Sequence, residues 1–250
     1  MTRAGWIRFA LIVGALAVLE AACRYGFVSR DAVIPPTVML QGAWRALASE
    51  ETRGEIVWTL QNVALSFVLS VIVGSALGLL LHKATRLRRA LDPLLASYYA
   101  VPTFVFYPLF IVLFGLNRWP LIAIGFLFAV VAVIINTLDG LGRLPRAFVR
   151  TAAVMRLTPA QYAVHIILPA AAPWLFTGAK FAVAYSFIGV IAGEFVVSGA
   201  GMGHAIAFAY NSFDNRMMYG LIVLLFGTVG SINMLLWTWE RRLYARRAGR

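Results

Sequence analysis

The sequence predicts an all-α integral membrane protein with six transmembrane helices, and three observations carry that prediction. Hydrophobic residues fill 61% of the 250 positions and charged residues only 13%, about half the charged share of an ordinary soluble domain. The apolar residues are gathered into separate blocks, each close to the roughly 20 residues that a helix needs to cross a bilayer. The basic residues, which set a formal net charge of +12, lie between and after those blocks. The positive-inside rule produces this distribution, and it excludes a nucleic-acid surface as the reason for the charge.

Taken in order, the first block is Trp6 to Cys23, interrupted by Arg8 and Glu20. A basic start and the small residues Ala21 and Ala22 resemble a secretory signal. Glu20 beside the cleavage position and the five later blocks favour a retained anchor helix instead. From Arg24 to Glu55 the chain is mixed in charge. After Pro35 and Pro36, Val38 to Ala48 is amphipathic and reads as a short helix along the outer membrane surface or as an ordered external loop.

Five further blocks are expected to cross: Ile56 to Leu81, Pro93 to Asn117, Trp119 to Leu138, Pro173 to Val197 and Met217 to Trp239. Pro102 and Pro108 are placed to kink the block that holds them. Gly74 and Gly78 form a G-x-x-x-G that lets helix backbones approach, read first as packing within one subunit and second as a dimer seam. The expected organisation is an anchor and external segment over residues 1–55, a core over 56–240 with a polar loop at about 143–169, and a basic tail over 241–250.

Orientation follows from the connectors. With six spans both termini share a side, and that side holds Arg3, Arg8, Lys83, Arg86, Arg88, Arg89, Arg143, Arg146, Arg150, Arg156, Arg241, Arg242, Arg246, Arg247 and Arg250. The opposite side holds Arg24, Arg30, Arg45, Arg53, Arg118 and Arg216, so the count is fifteen against six. The rule then makes both termini and the loop around Arg150 cytoplasmic.

That loop, Arg150 to Pro169, reads RTAAVMRLTPAQYAVHIILP and predicts two short helices joined by a turn. Pro145 can open the first, since a proline there loses only an N–H that had no partner. Thr158 and Gln161 are spaced as a capping box, each side chain reaching the other's backbone N–H. The break is therefore expected near Arg156 and Leu157.

Ala152, Ile166, Leu168 and Pro169 stand where the cytoplasmic EAA loop of ABC importer permeases has its second alanine, its isoleucine and its Leu-Pro. Three further stretches carry the resemblance: ALGLLLHKATRLRRALDPLL before the third span, NTLDGL from Asn136 to Leu141, and GEFVVSGAGMGHAI from Gly193 to Ile206. From about Leu60 to the C-terminal arginines the chain resembles this family, most of all the nitrate, sulfonate and taurine type. The resemblance implies a type I ABC importer transmembrane domain with cytoplasmic coupling helices in the bacterial inner membrane. It implies two ATPase subunits beneath, a second permease subunit that is an identical copy or a paralogue, and an extracytoplasmic solute-binding protein. The implied cargo is a small anionic or aromatic organic solute. The chain has no G-x-x-x-x-G-K-S/T loop, so ATP and Mg would be bound by the partner ATPase and this chain would be no enzyme and carry no cofactor.

By resemblance the coupling residues are Arg146, Arg150, Thr151, Ala152, Met155, Arg156, Leu157, Thr158 and Pro169. Arg150 occupies the family's glutamate position, Thr151 its first alanine and Arg156 its glycine. A glycine there would take a left-handed conformation, which costs another residue about 1 kcal/mol or more. Two readings of the arginines stand beside simple drift: a contact rewired toward an acidic patch, or the weaker half of an unlike permease pair.

Glu194 is an intramembrane carboxylate and so a functional candidate, grouped with Tyr107 and Asn136 on the candidate translocation path, for a structural or gating role ahead of direct solute contact. Lys180 is expected to snorkel to the headgroups. Tyr107 and Asn136 are the polar groups to test along a solute path, although Asn136 has the alternative of bonding a neighbouring helix. Gly199, Gly201 and Gly203 match the family's outer glycine turn, where glycine permits a tight reversal. His82, His165 and His204 are too far apart in sequence for a metal motif, and the single cysteine, Cys23, excludes an internal disulfide. An ion-coupled carrier using Glu194 is the alternative, but it calls for inverted repeats and paired ionisable groups.

Overall fold

The computed structural model describes residues 3–29 and 33–248, and every regular element among them is helical. In chain order these are α1 (Arg3–Arg24), α2 (Pro36–Ala48), α3 (Glu50–Lys83), α4 (Thr85–Ser97), α5 (Tyr107–Phe114), α6 (Arg118–Gly142), α7 (Arg146–Val154), α8 (Pro159–Tyr162), α9 (Leu168–Val197), α10 (Met202–Asn211) and α11 (Asn215–Ala248). α1, α3, α6, α11 and the run ending in α9 are each long and apolar enough to cross a bilayer. By contacts the chain forms two units, 1–58 with 194–231 and 59–193 with 232–250.

The larger unit is built on a seam of small residues. The Ser66 hydroxyl donates to the Ile122 carbonyl at 3.1 Å, and Ser70 donates to Phe126 at 3.3 Å. One and two turns further on, a Cβ on Gly74 would lie 3.0 Å from the Val130 carbonyl oxygen and one on Gly78 3.2 Å from that of Ile134. Residues four apart on α3 thus meet residues four apart on α6 at a constant offset of 56 positions. The G-x-x-x-G is half of this longer stripe, and it serves packing within the chain. α9 joins the same seam, with Gly189 against Gly125 and Gly193 against Leu121 at one end, and Gly178 against Asn136 toward the other.

The constant offset means that α3 and α6 run parallel, while α9 runs antiparallel to both. Lys83 is then level with Asp139, and Arg118 with Asn62. Chain leaving α3 at Lys83 must climb back through about 30 Å before α6 can begin, the thickness of a bilayer core. α4 and α5 make that climb. The kink expected within Pro93 to Asn117 is a full break: two segments, Thr85–Ala100 and Thr103–Phe114, meet at 91°. Pro102 lies between the two segments and Pro108 opens α5, and Val105 donates to the Pro102 carbonyl at 2.9 Å to restart the helix as a tight turn. Leu91, Leu95 and Tyr98 hold α4 onto a core of Leu81, Val130, Val131, Ile134 and Leu138.

In the smaller unit, Glu20 on α1 accepts from the Thr37 backbone N–H at 3.0 Å, the Thr37 hydroxyl at 2.8 Å and Arg24 at 2.6 Å. It therefore caps the positive end of α2. Ala46 of α2 packs against Ile206, Ala209 and Leu221 of α10 and α11. The stretch after Pro36 is thus a packed helix, the first of the two expectations, and not an ordered loop.

Candidate functional site

The elbow between α7 and α8 forms as its local sequence dictates. Gln161 N–H donates to the Thr158 hydroxyl at 3.3 Å, and the Gln161 side chain accepts from the Thr158 N–H at 3.0 Å. This is the capping box read from the spacing. Upstream, Arg156 has φ of 48° and Leu157 N–H donates to the Ala152 carbonyl at 3.1 Å. That bond, with a left-handed residue before it, is the Schellman closure that usually takes glycine. Arg156 adopts the strained conformation because the closure satisfies an end carbonyl that would otherwise be bare.

Ala152 is turned inward, whereas Arg150, Met155 and Arg156 are exposed. The side chains of Arg146 and Thr151 lie outside those described. Leu157 is half-buried, Thr158 is exposed, and Pro169 lies in the first turn of α9 after a π-helical turn over Ala163–Ile167. The seam places this elbow at the end of the larger unit where α3 finishes. α11 finishes there too, since Lys180 of α9 donates to both carboxylate oxygens of Glu240, at 2.8 and 3.0 Å. Lys180, expected to snorkel, has its charge met by this pair across two helices. The ends of α3 and α6 and the turns of α11 around Glu240 and Arg241 therefore share one end of this unit.

The glycine turn follows α9 directly in the chain. Gly201 has φ of +105° and ψ of 164°, a conformation closed to side-chain-bearing residues. Its N–H donates to a Glu55 carboxylate oxygen, and the Gly203 N–H donates to Glu194 at 3.1 Å. A Cβ on Gly201 would overlap the Glu194 carboxylate. Glu194, fully buried, and Glu55 together hold the N-terminus of α10, where the helix dipole favours anions. Gly199 is exposed, and a Cβ built there would meet nothing within 4 Å.

Tyr107 and Asn136 do not come together. Tyr107 is 4% exposed, stacked on Phe104 at 5.6 Å and packed with Leu121 and Ile124. Asn136 is about 20 Å further along α6 and, among the described residues, donates to the Ala132 carbonyl of its own helix at 2.8 Å.

Three contributors escaped sequence reasoning. Glu55 sits one residue before an apolar block and 146 positions from the turn that it holds. Glu240 is 60 positions from Lys180. Asn62 is fully buried on α3, and both of its amide atoms lack a partner among the described residues. It is one turn before Ser66, so extending the four-residue stripe backward from Gly74 would have found it.

These features define a class, the helical permease of a solute importer. A solved chain from inward facing conformations of the MetNI methionine ABC transporter shares the fold: TM-score 0.62, 20% identity, covering 84% of this chain and 99% of that one. Residues 67–248 match the model of the family described as binding-protein-dependent transport system inner membrane component. This chain belongs to that family. The nitrate import permease NrtB of Leptolyngbya laminosa is 30% identical over 84% of this chain and 75% of its own length. The bicarbonate permease CmpB of Synechococcus elongatus is 29% identical over 81% and 69%, and a putative aliphatic sulfonates permease, SsuC of Bacillus subtilis, 28% over 92% and 83%. The chain is thus a multi-pass permease subunit of an ABC importer and a transport component, and an ion-coupled carrier is not favoured.

Proposed function

We propose that the chain is one wall of an ATP-driven pore that moves a small organic or inorganic anion inward across the bacterial inner membrane. The observation that supports this most is the elbow: two short helices closed by a Schellman turn and a capping box, at the end of the larger unit where the arginine-rich connectors gather. A rigid, exposed elbow continuous with α9 through the π-helical turn can transmit a push on α7 and α8 to the seam at Gly189 and Gly125. The positive-inside count makes this end cytoplasmic, with both termini. Residues 1–55 then serve as anchor and external segment, 56–240 as the permease core with its coupling loop at about 143–169, and 241–250 as a basic tail.

Two ATPase subunits would supply ATP and Mg and dock on the elbow, with Arg146, Arg150, Thr151, Ala152, Met155, Arg156, Leu157, Thr158 and Pro169 shaping it. A second permease subunit, identical or paralogous, would complete the pore, and an extracytoplasmic binding protein would deliver solute near the turn of Gly199, Gly201 and Gly203. Nitrate, bicarbonate and sulfonate, named for the relatives, are all anions, which favours an anionic cargo over a neutral aromatic one. Glu194 is committed to holding that turn and would shape the outer mouth, not touch cargo. Tyr107 and Asn136 remain the path residues to mutate.

The test is purification of the native assembly through a tag on this chain. Copurification of a nucleotide-binding protein, with uptake that stops on ATP depletion while the ion gradient is held, is the expected result. Uptake by this chain alone in ion-loaded vesicles would overturn the proposal.

A further inference from the structure

The broken span leaves irregular backbone at a depth where lipid tolerates none. At the corner where its two segments meet, Tyr99, Ala100, Val101 and Pro102 are consecutive and all exposed. Two hydrogen bonds to α6 fix their level: the Tyr98 hydroxyl donates to the Leu127 carbonyl at 3.0 Å, and the Tyr99 hydroxyl to that of Phe128 at 3.4 Å. Leu127 and Phe128 lie about 14 to 18 Å by helical rise from Arg118 and from Asp139, the charged residues that bound the apolar run of α6. The corner is therefore near the middle of the membrane. Tyr99 also stacks on Tyr185 of α9 at 5.1 Å between ring centroids, and Tyr185 on Phe181 at 6.1 Å. Phe181 is itself exposed, so the stack carries the open surface of the corner onto α9.

Non-helical backbone at membrane depth has two settings, packed in protein or beside water. Lipid is excluded, because polar groups released from the helix ladder find no partner in hydrocarbon. Packing against another membrane helix favours small residues that let backbones approach, and this corner presents bulky rings around a 91° turn. Water remains. Ion-driven carriers place their solute sites at helix discontinuities near the midplane, and the cause, backbone that must be solvated, does not depend on what powers transport. Resting on the reading of this chain as one wall of a pore, we propose that the corner from Tyr99 to Pro102, with Tyr185 and Phe181, lines the water-filled solute path at mid-membrane.

The test uses the native assembly in liposomes, with Cys23→Ala as background and single cysteines placed by Val101→Cys, Phe181→Cys or Ile72→Cys. Ile72 is the reference: it is 62% exposed, level with Phe128 by the α3 to α6 offset, and on the far side of α3 from the seam. Each variant is treated with a charged methanethiosulfonate, which reacts with thiols only in water, and its ATP hydrolysis is measured in parallel to exclude a folding defect. Labelling at positions 101 and 181 is expected to be roughly tenfold or more faster than at position 72, and to change when ATP and vanadate are added. Labelling no faster than at position 72 would place the corner in lipid and overturn the proposal. Labelling that appears only after the assembly is dissociated would assign the corner to a subunit interface and equally overturn it. Fast labelling that ATP and vanadate leave unchanged would show a static water pocket, not a path. An active ATPase with inert cysteines sinks this proposal alone, whereas an assembly that retains no ATPase sinks the pore reading beneath it.

Discussion

The seam of α3, α6 and α9 and the elbow between α7 and α8 solve opposite problems with the same backbone. In the seam nothing larger than a methylene separates the helices at Gly125 and Gly189, and the hydroxyls of Ser66 and Ser70 are consumed by carbonyls. Helices in lipid gain little from burying apolar groups against each other, so close approach and hydrogen bonds do the holding. At the elbow the apolar side chains of Val154 and Met155 face outward and a non-glycine residue sits at positive φ. One region is closely packed within the chain, and the other carries strain and exposed apolar surface.

If that contrast is right, substitutions in the seam should damage folding and substitutions at the elbow should damage function. Gly125→Leu makes the hardest demand, because its first added carbon already lies 2.7 Å from the Ser66 hydroxyl and 2.8 Å from Val190. We expect a loss of about 3 kcal/mol or more, seen as aggregated protein in detergent gel filtration. Gly201→Ala comes next. It must leave its backbone region and displace a buried carboxylate, at a cost of about 2 kcal/mol, with the glycine turn disordered by hydrogen exchange while the seam stays protected.

At the elbow the sign reverses. Arg156→Gly should relieve about 1 kcal/mol of left-handed strain and raise the melting temperature slightly, while coupling of ATP hydrolysis to transport falls. Arg156→Gln should lower coupling without the gain in stability, which separates strain from charge. The smallest effect is expected at Lys180. Because the pair with Glu240 is partly exposed, at 34% and 16% of the two side chains, a double-mutant cycle with Lys180→Met and Glu240→Gln should give at most about 1 kcal/mol of coupling.

The same contrast decides what could be read from the sequence. The elbow was legible because its determinants are local: Thr158 and Gln161 are three residues apart, and Arg156 and Ala152 lie within one turn of helix. The long apolar blocks were legible by length alone. The broken span was not, since hydropathy over Pro93 to Asn117 records composition and is blind to a 91° change of direction. Pro102 marked the place, but proline signals a kink without giving its angle. The partners of Lys180 and Gly201 are set by tertiary packing across 60 and 146 positions, and no spacing rule reaches that far. Gly74 and Gly78 showed half the seam; the serines that continue it were overlooked because a small polar residue is as good a spacer as glycine when its hydroxyl can bond a facing carbonyl.

The central claim is that the elbow faces the compartment where ATP is held. The direct test replaces Cys23, the sole cysteine, by alanine and places single cysteines by Val154→Cys and, for the opposite face, Ser212→Cys. Intact spheroplasts are then treated with a membrane-impermeant maleimide. The account predicts labelling at position 212 in intact cells, and at position 154 only after the membrane is opened. Labelling at position 154 from outside would contradict it.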